Sequence, residues 1–110
     1  MFYTYPLADF SESEAAAITK ATAYFNALLE PEDAHIDVIQ ADDPTDFGGI
    51  WVSDPDENEW TMELRPGMDE DDIIETVLHE LMHVVQDQAG INRCEVMAES
   101  MAVIYRKLMV

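Results

Sequence analysis

Basic side chains are scarce in this chain. Lys and Arg together number 5 among 110 residues, against 24 Asp and Glu, for a formal net charge of −19. Each phosphate contact needs a Lys or Arg to displace counterions, so the composition argues against direct nucleic-acid binding. It argues equally against anionic membrane surfaces, whereas basic peptides or proteins would be drawn in. Cysteine is nearly absent too: Cys94 stands alone, which rules out an intrachain disulfide and suits a reducing cytosol. No apolar run approaches the ~20 residues of a bilayer span. Met1 to Pro6 shows neither the basic stretch nor the long apolar run of a signal peptide. A cytoplasmic protein without membrane contact is the expectation. There are no repeats, low-complexity tracts or long linkers, so residues 1–110 read as a single domain. Apolar residues make up 48% of the chain, enough for a core, and the acidity therefore does not signify disorder.

What is present reads as a mixed α+β order. Ser11 and Glu14 have the spacing of a capping box, and Ala15, Ile18, Thr22, Phe25 and Leu29 recur on one helical face until Pro31. Three strands are expected next: His35 to Gln40, Ile50 to Ser53 carrying Trp51, and Glu59 to Arg65, which places Trp60, Met62 and Leu64 on one face. Asp42 to Asp46 reads as a loop, and Asp54 to Asn58 as the turn of a hairpin between the second and third strands. After Pro66 and Gly67, Asp69 is a good N-cap, and Glu70, Asp71 and Asp72 complement the helix dipole. This helix runs from Ile73 to about Gln88 and is apolar around most of its circumference. Gly90 supplies a left-handed stop, and Asn92 can cap a last helix to about Met109 with a core stripe of Met97, Met101, Ile104 and Leu108.

The chemistry lies in His79-Glu80-Leu81-Met82-His83. Four residues advance a helix by roughly 400°, so both imidazoles leave the same face one turn apart. Two neutral imidazoles so placed can bind one Zn²⁺, with Glu80 beside it as general base. A catalytic zinc site needs a third protein ligand, and no third His follows His83. Cys94, Glu95 and Glu99 are the candidates on the last segment. Glu95 and Glu99 share a helical face, so one could bind the ion while the other receives an imidazole N–H. Glu95 could instead form a capping box with Asn92, and Glu99 could belong to a solvated face.

The string HELMH, followed by Glu-Val-Met-Ala-Glu-Ser-Met-Ala at 95–102, resembles the gluzincin metallopeptidases, in which an HExxH helix is followed by a glutamate-bearing helix. In thermolysin-like and ImmA-like members the third ligand begins a pattern E-x-x-[SA]-[DN]-x-F-[AG]. Glu95, Ala98, Met101 and Ala102 sit in that pattern, and Glu99 occupies its Asp/Asn slot. His79 to Gln88 is similar to small bacterial HExxHxxQ peptidase-like domains. The resemblance implies a zincin-like minimal core: an N-terminal helix, a small three-stranded sheet with a hairpin, the HExxH helix and a C-terminal ligand helix. It implies one Zn²⁺ held by His79, His83 and Glu95, an imidazole oriented by Glu99, and Glu80 as catalytic base of a peptidase. It also places the strand Trp60 to Arg65 beside the cleft, where its edge would pair with an extended peptide. Residues 84–94 alone separate His83 from Glu95, so the two helices must form a tight hairpin.

Two functions of different kinds follow. One is a zinc-dependent peptidase acting on a peptide or protein substrate, with basic ones favoured by charge. The other is a non-proteolytic acidic interaction protein, a DNA mimic or an inhibitor of a basic partner. Retention of Glu80 favours the first, because a purely structural site needs ligands but no base. The seven methionines read as core filler, Trp51 and Trp60 as anchors on the sheet, and the carboxylates at 42–46 and 54–57 lack the order of an EF-hand.

Overall fold

The computed structural model describes residues 1–7, 10–42 and 48–108. Seven elements follow in the order β1 (Phe2–Pro6), α1 (Glu12–Leu29), β2 (Ala34–Gln40), β3 (Gly49–Asp54), β4 (Glu59–Leu64), α2 (Glu70–Ala89) and α3 (Glu95–Leu108). The fold is α+β: three helices and one four-stranded sheet in the order β1-β2-β4-β3. The expected loop at 42–46 lies, from Asp43 onward, outside the described residues, as does Met109.

The sheet has one strand more than the sequence suggested. β1 pairs in parallel with β2, matching Phe2 to Ala34 and Thr4 to Ile36. Phe2 is buried and stacks on Phe25 of α1, while Tyr3 and Tyr5 point to solvent. β2 pairs in parallel with β4, and β4 pairs antiparallel with β3, completing the expected hairpin with a bulge between Val52 and Asp54. Since β4 is flanked on both sides, its edges are taken. The expectation that it offers an edge to a peptide is therefore corrected: β1 and β3 are the outer strands.

Alternation fixes which face is inside. Ile36 and Val38 of β2, Ile50 of β3, and Trp60, Met62 and Leu64 of β4 are all buried beneath α1 and α2. Trp60 anchors the sheet as expected, whereas Trp51, one residue after buried Ile50, falls on the open face. α1 begins with a complete capping box, Ser11 accepting from the Glu14 N–H and Glu14 accepting from the Ser11 N–H. It ends with Glu30 in the left-handed region just before Pro31. α2 is capped by Asp69, whose side chain accepts from the Asp72 N–H, and it buries Ile73, Ile74, Val77, Leu78, Leu81 and Val84. It lies centrally, between α1 on one side and α3 on the other.

α3 departs from expectation at both its cap and its face. It starts at Glu95, and the Ala98 N–H bonds to Cys94 O, so Cys94 and not Asn92 stands at the cap position. Its buried residues are Ala98, Met101, Ala102 and Tyr105, while Met97, Ile104 and Leu108 are exposed. Of the expected stripe, Met101 is buried, and Ala98, Ala102 and Tyr105 complete the face that packs inward.

Candidate metal centre

The α2–α3 hairpin assembles the site. Gly90 adopts φ 70° and ψ 24°, a conformation that costs glycine little, and the Gly90 and Ile91 N–H groups turn back onto the end of α2. This turn brings Glu95 over the exposed side of the His79–His83 pair. Nitrogen and oxygen donors of His79, His83 and Glu95 all lie within 4.8 Å of one another, and could hold a metal ion. The His79 Nε2 to Glu95 Oε2 distance is 2.8 Å, and His83 Nε2 to Glu95 Oε1 is 3.1 Å. Both imidazoles therefore aim the same nitrogen at one carboxylate.

The other ring nitrogens have partners of their own. His83 is 3% exposed, and its Nδ1 lies 2.8 Å from Oε1 of Gln86, a side chain that is 0% exposed. The amide orientation of Gln86 is set independently: Nε2 donates to Cys94 O at 3.1 Å, and Oε1 accepts from the Cys94 N–H at 3.2 Å. Oε1 is thus an acceptor, so His83 carries its proton on Nδ1 and leaves the Nε2 lone pair for a cation. At His79, Nδ1 lies 3.2 Å from Glu99 Oε2. Its Nε2 faces Glu95 Oε2 at 2.8 Å as well, so this ring has a carboxylate on each side, and a cation between Nε2 and Glu95 would leave the proton on Nδ1, facing Glu99. Glu99 is itself held by Arg106, whose Nη2 donates to Oε1 at 3.0 Å while Nε pairs with Glu75 at 2.9 Å.

The sequence singled out His79, Glu80, His83, Glu95 and Glu99, and all five converge. Glu99 lies on the outer nitrogen of His79, separate from the three-donor cluster, and Cys94 contributes its backbone to Gln86. Gln86 and Arg106 were not singled out. Gln86 was legible in one respect, as the last position of HExxHxxQ, one turn beyond His83. Tyr3 and Tyr5 stack on His35 across the sheet, and Tyr24 and Tyr105 meet edge to face, 5.5 Å apart.

His79, Glu80, Glu95 and Glu99 line a cleft of about 360 Å³ together with Glu75, Thr76, Ala102 and Gly48. Gly48 has φ 77°, and a Cβ there would fall 2.1 Å from Glu63 O, so the start of β3 meets the cleft through a position only glycine can occupy. Glu80 is half-buried. Burial raises its pKa above the ordinary value, opposed by His79 and His83 and assisted by the Glu95 charge. Burial likewise raises Glu75, with Arg106 acting against it. On the far side, Asp87 accepts from Trp60 Nε1 at 3.0 Å and from two nitrogens of Arg93, at 3.1 and 2.8 Å. Arg93 also donates to Ile50 O at 2.7 Å, tying the α2–α3 turn to the edge strand β3.

Among the described residues no helix is long and apolar enough to cross a membrane. Compared with known protein families, curated proteins and solved structures, the chain gives no match.

Proposed function

We propose that this protein is a zinc-dependent peptidase of gluzincin type. The observation that carries the reading is the donor arrangement: Nδ1 of each histidine faces its own acceptor, while both Nε2 atoms and a Glu95 oxygen converge within 4.8 Å of one another. Two imidazole nitrogens and a carboxylate oxygen suit Zn²⁺, and are fewer ligands than a closed structural site uses. When bound, the ion supplies a Lewis acid that polarises the scissile carbonyl and acidifies a water.

The chain's own residues do the rest. Glu80, adjacent to His79 and half-buried, takes the proton of the attacking water and returns it to the departing amine. Gln86 and Glu99 keep the two imidazoles in the orientation that ligation requires. β3 offers the outer antiparallel edge beside the cleft, where an extended peptide would be held by main-chain hydrogen bonds. The carboxylates of the cleft and the charge of −19 favour a substrate with basic residues near the cleaved bond.

The test is Glu80→Gln, assayed against a mixed peptide library with the zinc content measured in parallel. The proposal expects zinc retained and cleavage lowered by about 10²–10⁴-fold. Cleavage that survives both this substitution and a chelator would refute it, as would zinc-loaded wild type that cleaves nothing. The same charge supports a second reading, an acidic partner of a basic protein. That reading expects Glu80→Gln to bind the basic partner as well as wild type does.

A further inference from the structure

α3 is covered on one side only. Its inner face packs on α2, while Val96, Met97, Val103, Ile104 and Leu108 remain exposed, Val96 at 79% and Leu108 at 64%. With Ser100, the positions 96, 100, 103, 104 and 108 form one stripe at helical spacing, bordered at its start by Glu95 and Glu99. Isolated exposed apolar residues are ordinary, but a continuous stripe along a whole helix marks an interaction surface. Ser100 does not interrupt it. Its hydroxyl donates to Val96 O at 2.8 Å, so burying this small side chain leaves no unpaired group.

The charges along the stripe indicate what covers it. Its N-terminal end carries Glu95 and Glu99, and its C-terminal end Arg106 and Lys107. Arg106 is already committed to Glu75 and Glu99, and Glu95 and Glu99 face His79 and His83, whereas Lys107 has no ion pair among the described residues. Set antiparallel against a second copy about a two-fold axis near Ser100, each Lys107 meets the acidic end of the opposing helix. A parallel pairing would put like charges together. We infer that the outer face of α3 is a self-complementary interface joining two copies of this chain, helices antiparallel. The two-fold arrangement buries the same patch on both copies and closes, leaving no surface for further growth. It does not need the peptidase reading, although it borders the candidate metal centre through Glu95 and Glu99.

One term opposes the dimer and supplies a signature. Each copy carries −19, so the copies repel at long range, and salt screens that repulsion more than it weakens a mainly apolar seam. Added salt should therefore tighten self-association, whereas it would weaken the docking of a basic foreign protein on the same face.

Sedimentation velocity of the purified chain over rising concentration, at low and high salt, reads this directly. The expected mass moves from the 12.5 kDa chain towards twice that value, more readily at high salt. Ile104→Glu and Val103→Glu, both on exposed positions, should each weaken association by about tenfold or more with unchanged circular dichroism. Lys107→Glu should weaken it too and make the salt dependence steeper. In a Cys94→Ser background, Ser100→Cys should form a crosslinked dimer on oxidation. A monomer at every concentration and salt would overturn the inference. So would a dimer indifferent to Ile104→Glu and Val103→Glu, or one that salt dissociates.

Discussion

Replacing Gln86 with Leu removes the group that holds both ligand helices in register. The side chain is fully buried and serves three partners: the His83 Nδ1–H, the Cys94 N–H and the Cys94 carbonyl. Leucine fills a similar volume and returns none of these bonds. A buried polar group left unpaired costs about 1–3 kcal/mol. The His83 N–H is deeply buried and bears the upper part of that range, while the two part-buried Cys94 groups can be reached by water and bear the lower. The sum is about 3–5 kcal/mol, a large share of the ~5–15 kcal/mol that stabilises a domain of this kind. Melting should fall by more than about 10 °C. Zinc affinity, measured by competition with a chromophoric chelator, should fall about 10–100-fold, because His83 loses the acceptor that fixes its tautomer. Gln86→Glu separates the two effects. It still accepts from His83 and from the Cys94 N–H but cannot donate to the Cys94 carbonyl, so affinity should recover most of the way while stability stays reduced. A Gln86→Leu protein with the melting point and zinc affinity of wild type would refute the reasoning.

Other perturbations separate the remaining parts of the site. Glu99→Ala should lower zinc affinity by about 10–100-fold while leaving one ion per chain, since it removes the acceptor on His79 Nδ1 and leaves the three donors in place; loss of stoichiometric binding in a competition titration would instead make Glu99 a ligand. Asp87 has a pKa lowered chiefly by its hydrogen bonds from Arg93, so it contributes stability that is fully present above its unfolded pKa near ~3.9 and lost as pH falls through the still lower folded value. Asp87→Asn should therefore cost about 1–2 kcal/mol at neutral pH, discounted for the exposure of Arg93, and the gap from wild type in denaturant melts should close below about pH 4. Removing zinc with a chelator should lower the melting temperature of wild type reversibly, and should do so far less in His83→Ala.

Most of the chain's local signals were legible, Asn92 excepted, whose place as the cap of α3 is taken by Cys94. Ser11 with Glu14, Asp69 and Gly90 each act through backbone groups within four residues, and each forms the cap or stop its type favours. The histidine pair follows from helical spacing alone. β1 was missed because it pairs only with residues more than thirty positions away, and its short Phe-Tyr-Thr-Tyr-Pro run buries little beyond Phe2. The alternation of Phe2, Thr4 and the outward tyrosines was the available signal. The face of α3 was misjudged in part. Of the four large apolar residues assigned to the core, Met101 is buried there, while Ala98, Ala102 and Tyr105 complete the packed face and Met97, Ile104 and Leu108 lie outside. The parts of the site that escaped, Gln86 and Arg106, are polar side chains whose roles depend on which neighbour the tertiary fold supplies. Helical spacing places them near the site but does not name their partners.

The most direct measurement is a crystal structure of the chain loaded with zinc, with anomalous data collected across the metal edge. The account predicts one peak per chain, about 2.0–2.2 Å from Nε2 of His79, Nε2 of His83 and an oxygen of Glu95, with a further position open to solvent. No peak in that cluster, or a peak ligated through Nδ1 or through Cys94, would contradict it.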